Sequence, residues 1–573
     1  MRKHVLSTTA ALGLVAASML SPLSAAQASG SGNTLVVDAS GTLRPVTHVA
    51  AGTLYGIADA STPSAAQLMP LHLNQITQPP PGVQQLGNGA TTPCCDGLKV
   101  ASTVTAVGAQ QYFRMPDVYP DFPYKWVSWD DWLGKVDTMV KARLAAKDTT
   151  NISGWEIWNE PDGTWDTQKA GPYNDGWTRT YREIRSLDTV TPIIGPGFSQ
   201  YNHDLIKSFL TQAKADGTLP DVVVWHELSQ GWASIDEHVA DYRALEKELG
   251  ISPRPISVNE YAWTDQVDVP SAALHYIAQF ERTGVANADR AYWYEAGTAD
   301  GLFYNGQPTA SYYMYKWYGD MAGKMLPVTA SGDLDGIASL DSTRKIVNVV
   351  FGGDYGDDAV KVTGLGSFGS QVKATLTASG ITGRQTAASA PQPVSTQTLT
   401  VASDGSVTVP VTGMDSRAAY QLLVTPAAGP TSSWQQTYEA ENATVVNAQT
   451  LPASSASNGY YVGRIDGTGD ARKDSFVDFI VNVPTAGKYT MGVRYANGGT
   501  STATQGLAYN GGGWSTISYP PTGSWGTFTT NATASAGLDL KAGYNVIRLA
   551  KGSPNFAGGS GYAELDSITL TQS

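Results

Sequence analysis

At 573 residues the chain exceeds what one hydrophobic core organises, and about three domains are implied. Hydrophobic residues at 42% and charged residues at 15% exclude a disordered chain, while 60 Gly and 31 Pro point to turn-rich β structure in part of it. A net charge of −13, with no Lys/Arg run, gives nucleic acid or an anionic membrane no electrostatic attraction, so a neutral partner fits better.

The chain opens with the three parts of an export signal: basic Arg2 and Lys3, an apolar stretch over 10–20, and Ala26-Gln27-Ala28 as a small-residue cleavage site. The pattern predicts a signal peptide over 1–28 and secretion. The stretch is too short, and too interrupted by Gly and Ser, to span a bilayer comfortably. Cys94 and Cys95 are the only cysteines and are adjacent. In an oxidising compartment each has only the other as an intramolecular partner, in a strained ring; two buried thiols are the alternative. A disulfide framework and a Cys-based zinc site are both excluded.

Residues 47–325 alternate β-runs with helical segments, which predicts a (β/α)8 TIM barrel. The eight runs lie at 49–56, 71–77, 110–115, 154–159, 192–195, 221–225, 255–259 and 290–294, with helical periodicity over 129–147, 177–187, 203–215 and 235–249. From 326 to 426 short alternating runs at 345–351, 360–362, 371–377, 399–401 and 419–424 predict a β-sandwich, to which the run 34–38 within 33–46 can add a strand. Residues 427–433 read as a linker, and 434–573 as a second all-β unit.

The sharpest local signal is Gly154-Trp155-Glu156-Ile157-Trp158-Asn159-Glu160-Pro161, at the end of the fourth run. Strand alternation would turn Glu156, Trp158 and Glu160 to one face, at the barrel mouth where such barrels hold their active sites. A carboxylic acid among indole rings suits a sugar, whose C–H faces stack on the rings while the acid protonates a leaving oxygen. The second signal, Pro255-Ile256-Ser257-Val258-Asn259-Glu260-Tyr261-Ala262-Trp263, ends the seventh run and sets Glu260 across the axis from Glu160. A separation of about 5–5.5 Å between two such carboxyls makes one of them a nucleophile and retains the anomer, whereas about 6.5–9.5 Å inverts it.

The Trp-Asn-Glu-Pro string closely resembles the Asn-Glu-Pro motif of glycoside hydrolase clan A. With Trp225-His226-Glu227 on the sixth run and the following sandwich, the chain is most similar to family 39. The resemblance implies a retaining mechanism needing no metal or cofactor, with Glu160 as acid/base, Glu260 as nucleophile and Asn159 on the substrate 2-hydroxyl. Under that reading Glu160 is expected to stay protonated near neutral pH while Glu260 is ionised. Residues 72–75 lack the Arg that many clan members place near the nucleophile, and Arg114 on the third run is the available substitute. The family spans xylosides, uronides and arabinofuranosides, so membership names no sugar. His226, Trp158, Trp165, Trp263, Trp293 and Tyr55 are candidate substrate contacts and Glu156 a candidate third active carboxylate; beside these stand bland readings, with Glu156 as a buried structural ion pair, His226 as a core histidine and the aromatic residues as core filling. A noncatalytic glycan-binding protein on the same scaffold is the alternative function, against which retention of both glutamates argues.

In the last unit Tyr438-Glu439-Ala440-Glu441-Asn442 opens and Glu564-Leu565-Asp566-Ser567 closes the sequence. Glu439, Glu441 and Asp566 supply hard oxygens of the kind calcium takes. The two strings resemble carbohydrate-binding modules of families 6 and 35, β jelly rolls, which implies a structural Ca2+ on these acids and a sugar site in the loops. Tyr461, Tyr495, Asn497, Trp525 and Asn555 are the candidate contacts there, and their spacing does not choose between them. The expected partner is therefore a plant or microbial polysaccharide or oligosaccharide.

Overall fold

The computed structural model describes residues 32–86, 91–146, 151–291, 296–427, 434–466, 474–529, 533–552 and 555–572. The export signal read over 1–28 and linker residues 428–433 lie outside the described residues.

Eight parallel strands close into a barrel: β1 (Gly52–Leu54), β2 (Gln75–Gln78), β3 (Gln110–Arg114), β4 (Ile152–Glu156), β5 (Ile193–Phe198), β6 (Val222–Trp225), β7 (Ile256–Tyr261) and β8 (Asn287–Arg290). They are short and buried almost throughout, as expected of strands covered on the outside by helices and on the inside by one another. The covering helices have clear local causes. Ser128 accepts from the Asp131 N–H to start Trp129–Ala145, and Asn202 accepts from the Leu205 N–H to start His203–Asp216. Gly217 and Gly250, both left-handed, end His203–Asp216 and Ile235–Leu249.

The eighth strand departs most from the expected run, lying at Asn287–Arg290 rather than 290–294. Its sequence Asn-Ala-Asp-Arg reads as polar because its side chains are tied inside the protein. Asp289 accepts from Thr77, and Arg290 donates to the Asp300 carbonyl. Residues 292–294 of the expected run lie outside the described residues.

Beyond the barrel a four-stranded and a seven-stranded sheet face each other over their own apolar core. Thr34–Asp38 lies in the first of these, parallel to Gly356–Thr363, so the chain enters this unit before it enters the barrel. Strands with no sequence expectation complete it: Lys324–Met325, Val328–Thr329, Asp335–Asp341 and Val407–Met414. The C-terminal unit is another pair of sheets, of six and five strands. Its first strand, Gln435–Glu439, runs antiparallel to its last, Glu564–Gln572. Among the described residues no helix is long and apolar enough to cross a membrane.

The C-terminal unit seats under the barrel, against the segments that lead into the strands. Asn442 accepts from the Gly323 N–H at 2.6 Å and donates to the Gly323 and Val46 carbonyls at 2.9 and 3.1 Å. Thr444 donates to Gly108, and Ile480 and Tyr544 pack on the barrel core. A cavity of about 830 Å3 at this junction is lined by all three units. Removing the Asn442 amide leaves the Gly323 N–H and two carbonyls without it, at a cost of about 1–3 kcal/mol. Asn442→Ala should therefore separate the unfolding of the C-terminal unit from that of the barrel in scanning calorimetry. An unchanged thermogram would show that these bonds do not hold the units together.

Candidate active site

The barrel mouth is organised by one guanidinium. Arg114, 1% exposed at the end of β3, stands in register beside Glu156 of β4 and donates to it through Nε at 2.8 Å. Its Nη1 reaches across the axis to Glu260 at 2.5 Å. Asn259 of β7 donates to the other Glu156 oxygen at 2.7 Å, so β3, β4 and β7 are joined by one buried network. Burial disfavours the Arg114 cation, but Glu156, Tyr55, Glu260 and Asp117 around it raise its pKa well above the ordinary value. Glu156 thus lies in a buried ion pair, and Arg114 contacts the strand-seven glutamate directly.

Glu160 reaches the same place by a different route. The β4 ladder ends at Glu156, so the strand alternation that would align Trp158 with Glu160 stops two residues before Trp158. Glu160 instead takes a left-handed conformation (φ 50°), its N–H donating to the Gly197 carbonyl at 2.8 Å, and Pro161 starts a short helical turn. His226, fully buried after β6, sits between the two glutamates. Its Nδ1 is 3.1 Å from Glu160 and its Nε2 3.7 Å from Glu260. One oxygen of each glutamate and a ring nitrogen of His226 all lie within 4.8 Å of one another. Both carboxyls keep a solvent-facing side, at 19% and 11% exposure, so a substrate can reach them.

The electrostatics differ from the sequence expectation. Burial pushes the Glu160 carboxyl up, but the hydrogen bond and charge of His226, with Arg114, outweigh it and hold the carboxyl below its ordinary value. Burial pushes the His226 ring down, but the Glu260 charge and the bond and charge of Glu160 outweigh it, raising the ring above its ordinary value. The two shifts run in the same sense, favouring a carboxylate at Glu160 beside a protonated His226 over a protonated Glu160. Asp117, three residues past Arg114, was not anticipated. Burial pushes it up to about 7, against the lowering effects of Arg114 and of the Tyr55 and Tyr124 hydroxyls that donate to it at 2.5 and 2.9 Å. An acid just beyond a strand end was its only sequence signal.

The other expected contacts divide. Asn159, next to Glu160 in the chain, is buried, and its Oδ1 has no hydrogen-bond partner. Trp263, 42% exposed just after β7, is a rim aromatic. Tyr55 is buried under Arg114, with the guanidinium 5.8 Å from its ring centre. Trp158 is corrected: at 1% exposure it donates to Thr164 and is enclosed by Tyr124, Trp132 and Trp165, so no face is left for a sugar. Trp293 lies outside the described residues.

In the C-terminal unit Tyr495 and Asn555 are likewise corrected. Tyr495 is buried and donates to the Pro520 carbonyl, and the Asn555 amide is held between Arg548 and Asp474. Trp525, 45% exposed, keeps a free aromatic surface; its ring lies so close to Gly498 that a Cβ there would collide. Glu439, Glu441 and Asp566 are all buried at the junction of the first and last strands. Ser457 donates to both Glu439 and Asp566, and Arg494 pairs with Asp566, whereas neither oxygen of Glu441 has a partner. Burial, with the charge of the neighbouring acids, pushes Glu439 up to about 7 and Glu441 up to about 10.

A closed parallel barrel with two facing glutamates at its mouth makes the chain glycoside hydrolase-like. No family model matches the chain. It is 29% identical over 542 residues to the 3-O-beta-L-arabinopyranosyl-alpha-L-arabinofuranosidase of Bifidobacterium pseudocatenulatum, covering 78% of this chain and 54% of that protein. It is 27% identical over 532 residues to the 3-O-alpha-D-galactosyl-alpha-L-arabinofuranosidase of Bifidobacterium longum subsp. longum, covering 77% and 46%. The chain thus spans about half the length of these curated relatives. The solved structure of N2152 from Neocallimastix frontalis is 31% identical, with a TM-score of 0.64 over 69% of this chain and 100% of that one. The chain belongs to the same family as N2152.

The shared proton is directly observable. The His226 ring should titrate above its ordinary value of 6.5 in a histidine NMR pH series, and Glu160→Gln, which removes an anionic acceptor, should move its midpoint down. A midpoint indifferent to that substitution would remove the coupling.

Proposed function

We propose that the chain is a secreted retaining glycoside hydrolase that releases α-L-arabinofuranosyl units from a plant polysaccharide or oligosaccharide. The approach of Glu160 and Glu260 oxygens to within 4.8 Å carries the retaining reading, because an inverting pair must leave room for a water between the carboxyls. The names of the two bifidobacterial relatives favour the arabinofuranosyl unit within the broader set of sugars open from sequence.

Glu260, oriented by Arg114, attacks the anomeric carbon and forms a glycosyl ester as the bond to the leaving oxygen breaks. His226 first passes a proton to Glu160 across their hydrogen bond, and Glu160 gives it to the leaving oxygen, which leaves a carboxylate beside a neutral imidazole. Glu160, now a base, takes a proton from the water that attacks the ester and frees the sugar with its anomeric configuration retained. The unpaired Asn159 Oδ1 accepts from a sugar hydroxyl, and Trp263 lines the entrance. These steps use only side chains of this chain.

The C-terminal unit is read as a jelly-roll carbohydrate-binding module that presents Trp525 to glycan. A buried carboxylate with no partner on either oxygen fits a cation, and we assign Ca2+ to Glu441 with Glu439 and Asp566. Without a cation the same burial favours the protonated Glu441, so binding there would release its proton.

Glu260→Ala should lower turnover by about four orders of magnitude or more, as expected for loss of a nucleophile, and azide should restore cleavage with formation of a glycosyl azide. Hydrolysis at the parent rate in that variant would overturn the nucleophile, and NMR of the first-formed anomer checks retention independently. Ca2+ should raise the melting temperature by about 2–4 °C for each kcal/mol of binding-derived stability, and Glu441→Gln should abolish that rise. A calcium-independent melting temperature in the parent would remove the ion.

A further inference from the structure

Cys94 and Cys95 form a disulfide between chain neighbours, in the loop that leaves β2 on the mouth side of the barrel. Cys95 is 2% exposed and packs with Leu54 and Tyr55, its Sγ 4.0 Å from the Tyr55 carbonyl oxygen, while Cys94 lies beside them only partly covered. Cys95 and Tyr55 are both left-handed, at φ 67° and 52°. Two non-glycine residues held this way in mutual contact are backbone strain of the kind that collects at functional sites.

Tyr55 connects the disulfide to the chemistry. Its ring lies under the Arg114 guanidinium, its hydroxyl donates to Asp117, and Arg114 grips Glu260. The disulfide is thus linked to the reacting carboxylate through Tyr55 and Arg114. Sulfur is soft and polarisable, and a disulfide has no N–H or O–H to offer, so it complements the C–H face of a sugar ring rather than its hydroxyls. The carboxyls of Glu160 and Glu260, which keep a solvent-facing side, are the polar groups of the mouth left for those hydroxyls.

We propose that the Cys94–Cys95 disulfide is the apolar wall of the subsite that holds the ring attacked by Glu260. The inference rests on the glycosidase reading, and its ligand class is a pentose ring presenting a C–H face.

The decisive measurement uses the native full-length chain: the rate at which tris(2-carboxyethyl)phosphine reduces the disulfide, followed by alkylation and mass analysis, with and without saturating L-arabinose or D-xylose. A sugar seated on the sulfurs should slow reduction about tenfold, which corresponds to about 1.4 kcal/mol. Reduction indifferent to both sugars overturns the wall. In parallel, Cys94→Ala/Cys95→Ala should raise KM for an aryl α-L-arabinofuranoside several-fold, on the order of one lost apolar contact, with kcat nearly unchanged. A variant with parental KM also overturns the inference, as does one in which kcat and melting temperature fall while KM holds, since that is the mark of a loop clamp. If the parent cleaves no aryl glycoside, the proposed function falls, and sugar protection of the disulfide still decides whether a ring sits there.

Discussion

A guanidinium with 1% exposure at the end of β3 is the constraint on which the barrel mouth depends. Burying a cation costs several kcal/mol unless its charge and hydrogen bonds are answered, and here they are answered twice, by Glu156 and by Glu260. The partners sit on different strands, so the network has one geometry that satisfies it, and that geometry fixes where Glu260 points. Glu156 is the silent member. Held by Arg114 on one side and Asn259 on the other, it has no oxygen left for a substrate, yet without it the guanidinium would be free to swing wholly to Glu260.

Around this fixed pair the mobile charge is the proton of the Glu160–His226 couple. A single fully buried imidazole within reach of two carboxylates ties their ionisation together, so that loss or gain of charge at one is felt at the other. Asp117, with two tyrosine hydroxyls donating to it, adds a further acid that changes charge near neutrality within the same floor. The mouth is thus a graded set of acids set apart by their neighbours more than by their own chemistry.

Much of this was legible in the amino-acid order, and the failures share a cause. The barrel strands and the helices at Trp129–Ala145, His203–Asp216 and Ile235–Leu249 follow from hydrophobic periodicity and capping residues, which act locally. Glu160 and Glu260 stood out because an acid after an apolar strand needs a reason to be there. Trp158 misled because alternation was extended past the residue where pairing stops. Tyr495 and Asn555 were misjudged because exposure depends on which loops fold over them. The partners of Arg114, the place of Asp117 and the proximity of the cysteines to Tyr55 come from residues far apart in sequence, and no local pattern encodes them.

The seating of the C-terminal unit beneath the barrel changes what the carbohydrate-binding module proposed for it can do. A module on a loose tether samples a volume, and its benefit is concentration within that volume. A module joined through Asn442, Thr444, Ile480 and Tyr544 to the barrel's underside samples almost none. Its exposed edge, with Trp525, and the catalytic mouth keep a constant offset and angle. Under the proposed function the molecule works as a caliper, whose jaw opening selects glycans by the spacing between an anchoring point and a cleavable branch.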